Sequence, residues 1–389
     1  MKKQLLIISN RYPAGPNDPA SPFIYDFKRA LVKRGIAVDV LTPYYEPYRN
    51  DVRYIDDTVH QFRWSDGKKV ISQLSLYAPA SWLKIWRYFH AGYKMARGLH
   101  KKQNYQAVLG LWALPSGHLA RRLHRKFGVP YAIWALGSDI NSYAAKPLAG
   151  GLILKALKEA DRLFADGYEL ATKVQALADK ECRFLPSFHP LDLDTARNQS
   201  AEKVFLCAGR LEKEKGVIDL IEAFRLIANN LPDWRLEYIG SGSAEKKIWS
   251  LAQKYQIRNQ VKLHGYLERP AYNRILLGAR IVVIPSHSDS LPLTFGEAMQ
   301  AGKPVIVSDV GDLPLFTEKY RVGFTFRVGN IQELAEKMLE LTRDSSNYGP
   351  RCMKALEELD IENAAAAIQR WLEEKGTRKE SVQYAGAGK

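Results

Sequence analysis

Short apolar runs rich in Val, Ile and Leu alternate with segments of helical period along most of this chain, and the alternation stops once, in a polar stretch at residues 187–203. Strand-then-helix repetition of this kind dictates parallel α/β layers, because each helical crossover returns the chain to the same end of the sheet. In the first half, strands are expected at 5–9, 37–41, 107–110, 131–134 and 162–165, with helices at 23–33, 81–99, 117–126, 152–159 and 169–177. Segments 52–64 and 69–76 read as extra strands or a hairpin. The second half runs strand 204–208, helix 216–229, strand 235–239, helix 244–255, strand 261–264, helix 269–278, strand 281–284, a helix after Pro292, and strand 305–307. A chain of 389 residues exceeds one ordinary core. The pattern therefore predicts two doubly wound domains, 1–190 and 204–360, joined by a linker at 191–203, with ligands at the C-terminal ends of the strands. The small, polar residues after Lys375 are expected to fray.

The opening MKKQLLIISN holds too short an apolar run for a signal-peptide core and reads as a first strand, and no run of about 18 apolar residues predicts a membrane-spanning helix. Cys182, Cys207 and Cys352 are widely spaced, odd in number and lack a CxxC, which argues against a disulfide framework or a zinc site and for a reducing, cytoplasmic location. The net charge of +15 is concentrated: residues 1–190 hold 29 Lys and Arg against 15 Asp and Glu, and the remainder 28 against 27. Between Asp66 and Asp139 lie twelve basic residues and no acid. Such a field draws in nucleic acid, an anionic membrane or phosphate-rich substrates. No nucleic-acid-binding motif accompanies it, so nucleic acid is not an expected partner. HExxH, paired-His, GxSxG and Walker sequences are missing, and Asp192-Leu193-Asp194 spells a metal-binding Asp-x-Asp only by chance of lying in the linker.

Four segments of the second half carry chemistry. In PSHSDSLPLTFGEAMQAGKP, Asp289 and Glu297 bracket a loop that turns into a helix. Pro292 suits the first helical position, leaving the N–H groups of Leu293, Thr294 and Phe295 to attract an anion, while Glu297 offers a carboxylate to vicinal hydroxyls. Read alone, the two acids also fit the plainer reading of a helix-start acid and a solvated loop residue. In CAGRLEKEKGV, Gly209 allows close backbone approach at a strand end, and Arg210 and Lys215 place two cations at the mouth of the sheet. Gly240-Ser241-Gly242 is a tight turn between strand and helix that lacks the third Gly of a dinucleotide fingerprint. Tyr266, followed by Leu267, is either a stacking surface for a base or a half-buried core residue.

Together these segments resemble retaining glycosyltransferases of family 4, the group 1 enzymes with the GT-B fold of two Rossmann-like domains facing a central cleft. Gly-Arg-Leu-x-x-x-Lys-Gly at 209–216 and the Glu-x7-Glu motif, here Asp289 to Glu297, carry the resemblance in the expected order. It implies that Arg210 and Lys215 bind the diphosphate of a nucleotide-sugar donor, that Glu297 holds the ribose and that Asp289 lies near the transferred sugar. It further implies that Gly209, Ser241, Tyr266, Leu267, Leu293, Thr294 and Phe295 line the donor site, that neither cofactor nor metal is needed, and that a C-terminal helix at 361–375 packs back on the first domain. Two departures stand out: the first Glu is Asp289, and Leu136 replaces the His of a His-Gly-Ser-Asp segment. Ser138 and Asp139 remain as acceptor-site candidates, with loop capping the alternative for Asp139. Residues 10–23 match the family's first loop in place, although Ser21 and Pro22 stand where a Gly is usual, and His118 reads as structural.

Trp82, Ile85, Trp86, Phe89 and Tyr93 recur at helical spacing, flanked by Lys84, Arg87, Lys94 and Arg97. The stripe is either a core face or the apolar side of an interfacial helix on an anionic bilayer, with Trp82, Trp86, Lys84 and Arg87 as its membrane contacts. The expected function is sugar transfer to a lipid-linked or anionic glycan precursor at the cytoplasmic membrane face, in polysaccharide biosynthesis. The alternatives are a soluble acceptor or a catalytically silent scaffold that binds anionic surfaces.

Overall fold

A computed structural model of the chain describes all residues except 1–3, 16–17, 19–20, 47–50, 69, 72–73, 75–78, 192–200 and 387–389; of 79–80 and 376–386 it describes the backbone only. The chain divides into two compact units, residues 1–187 with 361–389, and residues 188–360.

The first unit holds strands β1 (Gln4–Ile8), β2 (Ala37–Pro43) and β3 (Val59–Phe62), helices α1 (Phe23–Lys33) and α2 (Pro79–Gln103), then β4 (Ala107–Leu111), α3 (His118–Phe127), β5 (Tyr131–Ala135), α4 (Pro147–Glu159), β6 (Arg162–Ala165), α5 (Tyr168–Ala178) and β7 (Cys182–Phe184). Its sheet is parallel throughout, in the order β3-β2-β1-β4-β5-β6-β7. Every residue of β4 and β5 is buried, as expected of central strands covered by helices on both faces.

The second unit comprises β8 (Glu202–Ala208), α6 (Val217–Ile227), β9 (Arg235–Ile239), α7 (Glu245–Lys254), β10 (Val261–Leu263), α8 (Arg269–Gly278), β11 (Ala279–Ile284), α9 (Leu293–Gln300), β12 (Val305–Ser308), α10 (Leu313–Tyr320), β13 (Gly323–Phe326), α11 (Ile331–Arg343) and α12 (Gly349–Leu359). Its parallel sheet runs β10-β9-β8-β11-β12-β13. Both sheets thus start at an inner strand, build outward, and jump back across it; the jump leaves a switch point beside β1 and β4 in one and β8 and β11 in the other. This is the α/β, doubly wound pair of Rossmann-like units that the alternation predicts.

Helix α13 (Ile361–Gly386) belongs to the first unit. It buries Ala364, Ala365, Ile368, Trp371 and Leu372, and Arg34 donates to Glu362 and Gln369 beside it. The expected fraying after Lys375 is not seen: the helix continues to Gly386. Lys, Arg, Glu and Gln in that segment are good helix formers, and extending an existing helix avoids the cost of nucleation.

Other differences are local. Segment 52–64 contributes only β3, which pairs parallel with β2 and so makes no hairpin. Segment 69–76 lies largely outside the described residues, as do Asp192-Leu193-Asp194 and most of the 191–203 linker, whose last two residues already belong to β8. Strand β7, three residues long, has too little sequence to show a period.

Candidate active site

In the second unit the loops that leave the C-terminal ends of the strands are laced together by backbone hydrogen bonds. Gly240 N–H donates to Gly265 O at 2.8 Å, Gly209 N–H to Ile239 O at 2.9 Å, and Leu211 N–H to Ser241 O at 3.0 Å. Across the switch point His287 N–H donates to Glu214 O at 2.9 Å, and between the loops after β11 and β12 Asp312 N–H donates to Ser290 O at 3.0 Å. Glycine makes two of these approaches possible. A Cβ on Gly216, at φ +65°, would lie 1.8 Å from Pro285 O, and one on Gly240, at φ +124°, 1.8 Å from Gly209 O. The result is a rim of loops locked to one another at the C-terminal ends of the strands, built by the sheet below them.

The rim gathers the residues singled out in the sequence. Lys215 Nζ donates to both Asp289 carboxylate oxygens at 2.7 Å, with side-chain exposures of 22% and 17%. This pair joins the loop after β8 to the loop after β11, and couples two residues to which the family resemblance gives separate roles. Arg210 stands exposed, 3.6 Å from Glu214. His287 Nε2 lies 2.6 Å from Asp219 Oδ2, tying the loop after β11 to the first turn of α6.

Pro292 sits at the cap rather than at the first helical position: its backbone is extended (φ −67°, ψ 145°) and α9 begins at Leu293. Phe295 N–H consequently donates to Pro292 O at 2.9 Å and is not available to an anion. Leu293 and Thr294 hold the first two helical positions, whose N–H groups have no intrahelical acceptor. Thr294 Oγ1 reaches Ala208 O at 3.2 Å, fixing the helix start over the end of β8.

Glu297 is buried, at 4% exposure, and one carboxylate oxygen accepts from Arg269 Nη1 at 2.7 Å while the other accepts from the Tyr272 hydroxyl. Burial and then the Glu297 charge hold that phenol well above its ordinary pKa, so it stays a donor. Each carboxylate oxygen retains a second lone-pair site. Sequence reasoning missed both partners, Arg269 and Tyr272 at the start of α8. The signal available was indirect: a buried carboxylate requires a cation. Tyr266 is half exposed, at 50%, in the loop after β10, with Leu267 partly buried behind it, and Ser241 is exposed on the loop after β9.

Beneath that loop, Glu237 accepts from Arg235 Nε at 2.9 Å and meets His264 Nε2 at 2.6 Å. Burial raises its pKa, but the hydrogen bonds and charges of His264 and Arg235 outweigh burial and bring it down to about 2.

In the first unit Asp139 is buried and accepts backbone N–H from Ala113 at 2.6 Å and Leu136 at 3.3 Å. Burial pushes its pKa up to about 6 against the lowering effect of those amides. Both oxygens are thus turned inward to join the loops after β4 and β5, which is the capping arrangement rather than an open acceptor site. Ser138, beside it, is exposed. His118 starts α3, packs edge-on against Phe89 at 5.2 Å, and burial, with Arg122 and Arg121, lowers its pKa to about 4. In the described part of the first loop, Asn10 accepts from the Ser116 hydroxyl at 2.8 Å.

Helix α2 divides the aromatic stripe. Tyr88, Gly92 and Ala96 face the core and Ile85, Phe89 and Tyr93 are half-buried, whereas Trp82, Leu83 and Trp86 are 45%, 53% and 60% exposed beside exposed Lys84 and Arg87. Among the described residues no helix is long and apolar enough to cross a membrane, and no group of three His, Cys, Asp or Glu side chains is placed to hold a metal ion.

Residues 193–357 match the family of glycosyl transferases group 1. This segment is a glycosyltransferase group 1 domain. Over 226 residues the chain is 27% identical to the teichuronic acid biosynthesis glycosyltransferase TuaC assigned in Bacillus subtilis, covering 54% of each protein. Over 206 residues it is 26% identical to the poly(glycerol-phosphate) alpha-glucosyltransferase of the same organism, covering 51% of this chain and 30% of that one. The chain therefore spans about half, or less, of these curated relatives. Sucrose-phosphate synthase from Thermosynechococcus elongatus shares the fold at a TM-score of 0.76 and 19% identity, covering 97% of this chain and 100% of that one. HepE of Anabaena, solved in complex with UDP, shares it at 0.69 and 15%, with the same coverage. These neighbours bear out the GT-B-type architecture.

Proposed function

We propose that this chain is a retaining glycosyltransferase of family 4 that moves a sugar from a nucleotide diphosphate donor to an acceptor hydroxyl. The observation that carries the reading is the convergence of Lys215, Asp289, the Leu293 and Thr294 amides and Glu297 on one rim at the β8–β11 switch point, inside the segment that matches the group 1 family. In this reading Lys215 exchanges Asp289 for the donor diphosphate, and Arg210 and the two amides share the charge of the leaving group. Glu297, held by Arg269 and Tyr272, accepts from the ribose hydroxyls. Asp289, freed, faces the transferred sugar, while Tyr266, Leu267 and Ser241 border the nucleotide and Gly209 lets its backbone approach. The bond from the anomeric carbon to the diphosphate breaks as the acceptor oxygen bonds to the same face, and a donor phosphate oxygen takes the acceptor proton. Fixed cations and amides do this without a metal, so EDTA leaves the rate unchanged.

For the acceptor we infer a lipid-linked or otherwise anionic glycan precursor at the cytoplasmic face of an anionic membrane. The exposed Trp82, Leu83 and Trp86 beside Lys84 and Arg87 support it, as does similarity to proteins named for teichuronic acid and poly(glycerol phosphate). Labelled sugar transfer by purified protein, with the product anomer read by NMR, tests the reaction; an inverted product, or no transfer from any common nucleotide sugar, refutes it. Salt-sensitive binding to phosphatidylglycerol vesicles that Trp82→Ala with Trp86→Ala weakens supports the membrane acceptor, and its absence points to a soluble one.

A further inference from the structure

A basic cavity lies at the opposite end of the same sheet from the donor rim. It has a volume of about 370 Å³ and is bordered by Lys203, Asn230, Trp234, Arg280, Thr342 and Arg343. Lys203 stands near the start of β8, Arg280 near the start of β11, and Arg343 at the end of α11. Seven residues of β8 separate this end from Gly209, about 20 Å of strand.

Cations at such a place ordinarily serve the carbonyls at helix C-termini. Here several of those carbonyls have other donors. Gln260 Nε2 reaches Ala228 O at 3.4 Å, Leu231 O at 2.9 Å and Trp234 O at 3.2 Å, covering the chain that follows α6. At the end of α11, Thr342 Oγ1 donates to Leu339 O at 2.7 Å and Asp344 N–H to Leu341 O at 3.3 Å. The nearby acids are engaged as well: Asp344 accepts from the Tyr348 hydroxyl and Glu340 from Lys337. Lys203 is paired with Asp233 at 3.0 Å, but among the described residues neither Arg280 nor Arg343 has a carboxylate partner. Two uncommitted guanidinium forks thus border one small cavity, with the Asn230 amide and the Trp234 ring on its wall.

We propose that this cavity is a binding site for a small phosphate monoester, distinct from the donor rim. Paired guanidinium groups suit a dianionic, many-oxygen head that each can grip with two N–H bonds, and the volume admits a phosphate with a sugar-sized body. The site stands apart from the donor reading, since it shares no residue with the rim.

The test is titration calorimetry with inorganic phosphate and with glucose 1-phosphate, on the full chain, on Arg280→Ala with Arg343→Ala, and on Lys215→Ala. Both arginines are exposed, so the double variant keeps the fold. The proposal expects saturable binding of at least the sugar phosphate near about 1 mM or tighter, weakened at least about 50-fold in the arginine double variant and unchanged in Lys215→Ala. No saturable binding by the full chain, equal binding by the arginine variant, or loss in Lys215→Ala in place of the arginine variant would each overturn it.

Discussion

Lys215→Ala separates a role in chemistry from a role in holding the fold. Its ammonium is bound by both Asp289 oxygens at 2.7 Å, with about four-fifths of each side chain covered. Removing it leaves a largely covered carboxylate without its cation, a loss of roughly 1.5–3 kcal/mol for a charge-assisted pair. For a domain of this size that lowers the melting temperature by about 5 °C. The catalytic loss is larger: deleting one preorganised donor to a developing oxyanion costs about 2.7–4 kcal/mol, a 100- to 1,000-fold fall in kcat. Adding Asp289→Ala removes the unpaired carboxylate, so the double variant should regain most of the melting temperature and none of the turnover. Calorimetric melting alongside single-turnover transfer reads both. Near-normal turnover in Lys215→Ala, or recovery of turnover with stability in the double variant, would refute the assignment of Lys215 to the leaving group.

Other consequences follow from the same geometry. Arg269→Ala leaves buried Glu297 without its cation and should raise the Kd for donor nucleotide at least about 10-fold with a smaller effect on kcat, measured by calorimetry and steady-state rates. Glu237, held near pKa 2 by His264 and Arg235 against burial, binds its proton more weakly folded than unfolded. Its contribution, about 3 kcal/mol, is therefore present above about pH 4.5 and lost as pH falls through 2. The stability gap between the native chain and Glu237→Gln, from urea melts, should be widest near neutrality and shrink over that window. Gly216→Ala forces a Cβ against Pro285 O at a left-handed φ, and should cost about 2–4 kcal/mol and loosen the Lys215 turn, seen as faster amide exchange there.

The fold was legible because strand burial is periodic and local. Helix α1, strands β6 and β9 and helix α8 lie where the apolar pattern puts them, and β7 escaped only because three residues carry no period. Of the site, the parts set by local chemistry were readable: Gly209 at a strand end, cations after β8, a helix start near Pro292. Pairings were not. Lys215 finds Asp289 across 74 positions and Arg269 finds Glu297 across 28, distances that only the sheet closes. The same holds for Asp139, for which acceptor ligand and loop cap both stand in the sequence until Ala113 N–H, 26 positions away, decides for the cap. On α2 the spacing located an aromatic stripe but not which part is covered, since that depends on how Tyr88 meets Phe62 and Trp64.

The central claim is that the rim above β8 and β11 binds a nucleotide diphosphate. Thermal-shift titration against UDP, GDP, ADP and dTDP tests it without knowledge of sugar or acceptor. At least one should raise the melting temperature by several degrees at a hundredfold excess over its Kd, and lose that effect in both Lys215→Ala and Glu297→Ala. No shift with any of the four, or a shift that survives both substitutions, would contradict the account.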